Sequence, residues 1–263
     1  MKTNLAALVA GMALVCALSA CGGGGDGGGN LAASPATPTT PVPAPDPTLK
    51  PVLIEMYGDS TTQGQDVLTE SGTVTKASEP LALQSLLQGR FGSSVTISNQ
   101  GVSGTEASQL LNGTDTIHPS WINQMAVSKA QIVTLNFALN DAFYSIVATP
   151  GHDQESPSQF ADDLTQMVEI ARAAGKQVVL FEPNPVTEPI RSPILAQYVS
   201  AIQQVARSKN IPIAKDYESM LALPNWQSLL ADTLHPTEPG YQQKASFEFP
   251  VLAPLVEGCQ TPS

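Results

Sequence analysis

Hydrophobic residues recur with two spacings from residue 51 onward, and the two spacings alternate along the chain. Short, nearly continuous apolar runs predict strands, because a strand covered on both faces carries apolar side chains in succession. Apolar residues three or four positions apart predict amphipathic helices. The predicted strands are residues 51–58, 94–101, 130–141, 176–184 and 211–216, and the predicted helices are residues 78–92, 156–175, 192–210 and a last one within 238–258.

This alternation predicts an α/β fold, a three-layer α/β/α sandwich with a mostly parallel five-stranded sheet. In open sheets of this kind, functional sites lie beyond the carboxyl ends of the strands. Polar residues and a glycine stand at the ends of three of the predicted strands: Asp59 and Ser60 directly after the first, Gly101 at the end of the second, and Asn140 at the end of the third. We therefore expect these residues to share one edge of the sheet.

The first 20 residues have the pattern of a secretory signal peptide, with Lys2 followed by an apolar stretch and then small residues. The sequence Leu-Ser-Ala-Cys ending at Cys21 resembles the lipobox of bacterial lipoproteins, which implies lipidation of Cys21 and a membrane anchor there. A plain signal peptide before an incidental cysteine is the alternative. Residues 21–50 are rich in glycine, then in proline, alanine and threonine, and predict a disordered linker that cannot bury a core. The folded domain is then residues 51–263.

Composition and cysteine content exclude several classes of protein. The net charge of −11 and the absence of a Lys/Arg run oppose binding to nucleic acid or anionic headgroups. Cys16 leaves with the signal peptide and Cys21 would be lipidated, so Cys259 has no partner and no internal disulfide is expected. His118 and His152 lack neighbours at metal-ligand spacing, which predicts two surface histidines and no metal site.

A serine, a histidine and a carboxylate are the parts of a nucleophilic acyl-transfer site. Ser60 follows the first strand, and Asp232 and His235 stand three apart near the C-terminus. The serine needs a base to accept its proton, and the base needs a carboxylate to orient it. A developing oxyanion also needs amide or backbone N–H donors.

These residues resemble the ordered blocks of the SGNH hydrolases, also called the GDSL family. The matching positions are Gly58-Asp59-Ser60, Gly101 preceded by Asn99, Asn140-Asp141 and Asp232-x-x-His235. The chain departs from the pattern at Ala138, where the family usually has glycine, and we expect that change to affect the loop rather than the chemistry. The resemblance implies a flavodoxin-like strand order and the hydrolysis of carboxylic esters without a cofactor or metal.

The resemblance also implies a role for each residue. Ser60 is the nucleophile, His235 the general base and Asp232 its orienting carboxylate. The Ser60 N–H, the Gly101 N–H and the Asn140 side chain would hold the oxyanion, whereas Asp59 and Asp141 would be structural.

Three functions are consistent with this pattern. The first is an extracytoplasmic esterase, lipid-anchored at the outer membrane or facing the periplasm, or secreted, acting on an acylated glycan or a small acyl ester. The second is an O-acyltransferase for a cell-envelope polysaccharide, and the third a non-catalytic surface lipoprotein. Residues 65–77 and 143–157 are expected to form loops over the site that shape specificity. The sequence does not predict an oligomeric state.

Overall fold

The computed structural model of the 263-residue chain describes residues 49–65, 75 and 77–261. The predicted signal peptide, Cys21 and most of the linker lie outside the described residues, as does most of the predicted loop at residues 65–77. Within the described ranges, no helix is both long enough and apolar enough to cross a membrane.

Five parallel strands form one sheet with the order β2-β1-β3-β4-β5. This order, with helices on both faces of the sheet, confirms the predicted three-layer α/β sandwich. The strands are β1 Val52–Gly58, β2 Val95–Gly101, β3 Ile132–Asn136, β4 Gln177–Phe181 and β5 Ile213–Ala214. Gly58 is paired with Gly101 on one side and with Asn136 on the other, so β1, β2 and β3 end at the same edge.

Helices cover both faces of this sheet, and alternate strand residues enter two separate cores. One face packs Leu83 and Leu87 of α2 and Leu252 of α9 against β1, and the other packs Leu135 of β3 against Phe160 of α6. The helices in the described part of the chain are α1 Ser60–Gln63, α2 Glu79–Phe91, α3 Ala107–Asn112, α4 Trp121–Val127, α5 Leu139–Ile146, α6 Pro157–Ala173, α7 Leu195–Lys209, α8 Asp216–Leu221 and α9 Glu238–Gln260.

The third strand is shorter than its sequence predicted. It ends at Asn136, and α5 begins at Leu139 inside the predicted strand and extends into the predicted loop at residues 143–157. Phe137 and Ala138 are buried in the turn between the two elements. Apolar periodicity marks burial and therefore does not separate a buried strand from a buried turn and helix that follow it directly. Asn140 consequently lies in the first turn of a helix rather than on a strand.

Candidate active site

The turn that presents Ser60 is built by its neighbours Asp59 and Thr61. Asp59 is buried and extended, with φ −93° and ψ −154°, and caps the N-terminus of α1. Its Oδ1 atom accepts hydrogen bonds from the Thr61 N–H and from the Thr61 hydroxyl, both at 2.8 Å. The prediction that Asp59 braces this turn is confirmed, and Ser60 becomes the first residue of the helix.

Glycine ends both β1 and β2 because α1 lies directly across these two strand ends. A Cβ atom at Gly58 would lie 2.3 Å from Thr62 Oγ1 and 2.6 Å from the Asn136 carbonyl oxygen. A Cβ atom at Gly101 would lie 2.3 Å from the Gln63 nitrogen. Side chains at these positions would therefore push the helix that carries Ser60 away from the sheet.

The loop before α9 places His235 against Ser60. The distance from Ser60 Oγ to His235 Nε2 is 3.0 Å, and the distance from His235 Nδ1 to Asp232 Oδ2 is 2.9 Å. An antiparallel bridge between Leu230 and Pro236 closes this loop. The structure thus brings Ser60 together with the histidine and the aspartate of a loop 175 residues away in sequence.

Asp232 is held in its charged form by the loop around it. Burial raises its pKa, but the His235 ring and the N–H groups of His235 and Leu234 donate to the carboxylate and lower the pKa below its ordinary value. Because a charged Asp232 accepts the Nδ1 proton, Nε2 is left as the acceptor that faces the Ser60 hydroxyl.

Asn140 is held by contacts at both ends of its amide. Its Nδ2 donates to the Thr105 carbonyl oxygen at 3.1 Å, and its Oδ1 accepts from Arg191 Nη2 at 3.4 Å. Arg191 is itself buried, donates through Nε to the Leu139 carbonyl oxygen at 2.9 Å, and pairs with Glu188 at 3.2 Å. Among the contacts of the described residues, one Nδ2 hydrogen therefore remains for another acceptor. Arg191 was not identified from the sequence.

The structure does not support Gly101 as an oxyanion donor. Its N–H donates to the Asn99 side-chain oxygen at 2.9 Å, and its lack of a side chain is explained by the packing of α1. Gly104, three residues later, has a φ of +82° and open space where a Cβ would be. In the described part of the chain, its N–H has no acceptor, and the next residue, Thr105, holds Asn140. Gly104 is the better candidate.

Asp141 ties together the two loops that carry these donors. One of its oxygens accepts the Ala138 N–H at 2.8 Å, and the other accepts the Ala107 N–H at 2.9 Å. Burial raises the pKa of Asp141 to about 7. Its predicted structural role is confirmed by these contacts. Ala138 has a φ of +119°, a region that favours glycine, so its departure from the family pattern places strain in this turn.

The histidine and the cysteine discussed in the sequence lie outside the candidate active site. His118 is buried rather than on the surface, since its ring nitrogens contact Asp115 at 2.6 Å and Gln100 at 3.3 Å. Cys259 is a free thiol among the described residues, as predicted. Across residues 49–65, 75 and 77–261, no three His, Cys, Asp or Glu side chains are grouped to hold a metal ion.

Comparison with known families defines the class of enzyme. Residues 56–243 match the GDSL-like Lipase/Acylhydrolase family, and because this is more than half of the chain, the chain belongs to that family. It is therefore a carboxylic ester hydrolase. The family resemblance inferred from the sequence blocks is confirmed.

Solved structures show the same fold at low sequence identity. A lipase/acylhydrolase from Enterococcus faecalis is 21% identical with a TM-score of 0.59, over 81% of this chain and 98% of that chain. An acetylxylan esterase from Geobacillus stearothermophilus is 18% identical with a TM-score of 0.59, over 77% of this chain and 94% of that chain. No curated protein matches the chain.

Proposed function

We propose that this chain is a serine esterase in which Ser60, His235 and Asp232 act together. The observation that carries the proposal is the continuous pair of contacts from Ser60 Oγ through the His235 ring to Asp232, at 3.0 and 2.9 Å. A serine hydroxyl is a weak nucleophile, and it gains strength only when a base can take its proton during attack. Membership of the acylhydrolase family supports the same reaction.

In the first half of the reaction, Ser60 Oγ attacks the acyl carbon and its proton passes to His235 Nε2. The proton then moves to the departing alcohol oxygen as the ester bond breaks, leaving the acyl group on Ser60. In the second half, His235 takes a proton from water, the resulting hydroxide attacks the acyl carbon, and the proton returns to Ser60. Asp232 stabilises the charged imidazole in both halves.

The oxyanion formed at each attack would be stabilised by three donors. These are the backbone N–H groups of Ser60 and Gly104 and the remaining Nδ2 hydrogen of Asn140. Thr105 supports this assignment because it follows Gly104 and holds the Asn140 amide at 3.1 Å. Donors fixed by the protein need not reorganise when charge develops, which is why they stabilise the transition state.

Covalent labelling and product analysis test this proposal. A fluorophosphonate should modify Ser60 in the native protein, and the labelled peptide identified by mass spectrometry should be absent after Ser60→Ala. Ser85→Ala is the matched control, because Ser85 is an exposed serine on α2. With esters, acid and alcohol should appear in equal amounts. Undiminished turnover by Ser60→Ala would refute the proposal, and less acid than alcohol with a sugar acceptor would instead indicate acyl transfer.

We further propose that the enzyme acts in the cell envelope, anchored through a lipid on Cys21. The lipobox-like sequence before Cys21 and the glycine- and proline-rich residues 22–50 support this proposal, because such a segment can separate an anchor from a folded domain. Cys21→Ser should abolish membrane association while leaving ester turnover unchanged. Fractionation of cells expressing each form measures this, and a variant that still pellets with membranes would exclude the anchor.

A further inference from the structure

A polar cavity of about 360 Å³ borders the Gly104–Thr105 segment of the candidate active site. Its volume lies in the range of small-molecule sites, about 300–1,000 Å³. Among the residues that the structure describes, the lining includes one serine, three threonines, one glutamine and one aspartate, and no leucine, isoleucine, valine, phenylalanine or methionine. Such a wall offers hydrogen bonds to hydroxyl groups and little aliphatic surface to an acyl chain.

An aromatic pair forms one part of this wall. The rings of Tyr144 on α5 and His152 in the following loop are stacked with a centroid distance of 3.6 Å and an interplanar angle of 18°. The His152 side chain is 21% exposed. Both residues fall in segment 143–157, which the sequence predicts to shape specificity, although Tyr144 lies on a helix.

Glu106 fixes the orientation of the His152 ring. Its Oε2 atom lies 2.9 Å from His152 Nδ1 and accepts the Asp153 N–H at 3.3 Å. Glu106 is fully buried, and burial raises its pKa to about 7, so the carboxylate is held there at a cost in stability. Burial also lowers the pKa of His152, which keeps the ring neutral. His152 Nε2 is then an acceptor while Glu106 is charged and takes the Nδ1 proton, and a donor when Glu106 is protonated, so it can pair with a hydroxyl group in either state.

We propose that this cavity binds the sugar ring of an acylated carbohydrate, with Tyr144 and His152 as specificity-determining residues. This inference rests on the proposed esterase function, because Gly104, a proposed oxyanion donor, and Thr105, which holds the Asn140 amide, both line the cavity. A sugar presents hydroxyl groups to the serine and threonine side chains and to His152 Nε2. Its C–H face can pack against the tyrosine ring. The alcohol part of the substrate is therefore a carbohydrate, and the acyl part lies outside this cavity.

Two acetyl esters, one of a sugar and one of an aliphatic alcohol, test the proposal. The probes are methyl 6-O-acetyl-β-glucopyranoside and hexyl acetate, which share the acyl group and an unactivated primary alcohol. Native enzyme should have a higher kcat/KM for the sugar ester. Tyr144→Leu and His152→Ala should each lower that kcat/KM about tenfold, mainly through KM, since each removes a contact worth about as much as one hydrogen bond and about 1.4 kcal/mol corresponds to a tenfold change. The loss on hexyl acetate should be much smaller, because its alkyl chain has no hydroxyl group to pair with these residues.

Ile146→Ala is the matched control, because Ile146 is exposed on the same helix and does not line the cavity. Equal losses on both esters, or a native preference for hexyl acetate, would overturn the sugar subsite while leaving the esterase proposal intact. Absence of turnover with every ester would instead refute the esterase. In that case, NMR titration of Ser60→Ala with methyl β-glucopyranoside still decides the subsite: binding that Tyr144→Leu weakens supports it, and no binding overturns it.

Discussion

Replacing Asn140 separates its proposed role in catalysis from its visible role in packing. One Nδ2 hydrogen is used by the Thr105 carbonyl oxygen, and Oδ1 accepts from Arg191. Asn140→Ala removes these two contacts and also the hydrogen proposed to reach the oxyanion. The transition state carries the negative charge, so the variant should lose more stabilisation of the transition state than of the bound substrate. We expect kcat to fall by roughly 10²–10³, as for other single oxyanion donors, with KM nearly unchanged.

The same change should lower stability by a separate amount. Asn140 and Thr105 are both buried, so truncation leaves the Thr105 carbonyl without this donor. An unsatisfied buried polar group costs about 1–3 kcal/mol. For a domain of this size, each kcal/mol corresponds to roughly 2–4 °C in Tm. We therefore expect a lower Tm but a folded protein at 25 °C, so that the loss of kcat exceeds any loss of folded enzyme.

Asn140→Asp provides the sharper comparison. Aspartate retains the volume of the side chain and an oxygen for Arg191, but it has no N–H and adds negative charge beside the oxyanion. Its kcat should be at or below that of Asn140→Ala. Steady-state kinetics on samples whose active sites are counted with a fluorophosphonate, together with thermal unfolding, give both quantities. A folded Asn140→Ala enzyme within about threefold of native kcat would refute the oxyanion role.

Three further changes probe the nucleophile, the buried carboxyl and the packing of α1. Ser60→Ala, His235→Ala and the double variant should show similarly low ester turnover, because either loss disables the nucleophile; a much slower double variant would contradict this. The raised pKa of Asp141 means that the folded chain binds this proton more tightly than the unfolded chain, so this carboxyl makes the unfolding free energy fall as pH rises from 3.8 to about 7. Asp141→Asn removes the group and should make the unfolding free energy depend less steeply on pH. Urea denaturation at several pH values measures that slope, and a slope equal to the native one would contradict the argument. Gly101→Ala should lower Tm and turnover together, because its Cβ would lie 2.3 Å from the Gln63 nitrogen; a normal Tm would disprove that packing argument.

Local patterns were sufficient to predict the sheet, the main helices and the polar residues at its edge. The strand ends at Gly58 and Gly101 are visible in sequence because each strand-like run ends at a glycine. The pairing of Asp232 with His235 is also local, since the two residues lie three apart in one loop. Periodicity did not predict the element that carries Asn140, because a buried turn joins the strand to a helix there without a break in the apolar run.

Contacts between distant segments were decided only by the tertiary structure. Arg191 reaches Asn140 across 51 residues, and His152 reaches Glu106 across 46. No spacing rule connects such positions, because the fold rather than the chain brings them together. The replacement of Gly101 by Gly104 as the candidate donor had the same origin: the sequence pointed to Gly101 at the end of a strand, and only the packing of α1 and the Asn99 contact show that its N–H is occupied. The sequence determined which chemical groups are present, whereas packing determined which of their hydrogen-bonding atoms remain free to contact a substrate.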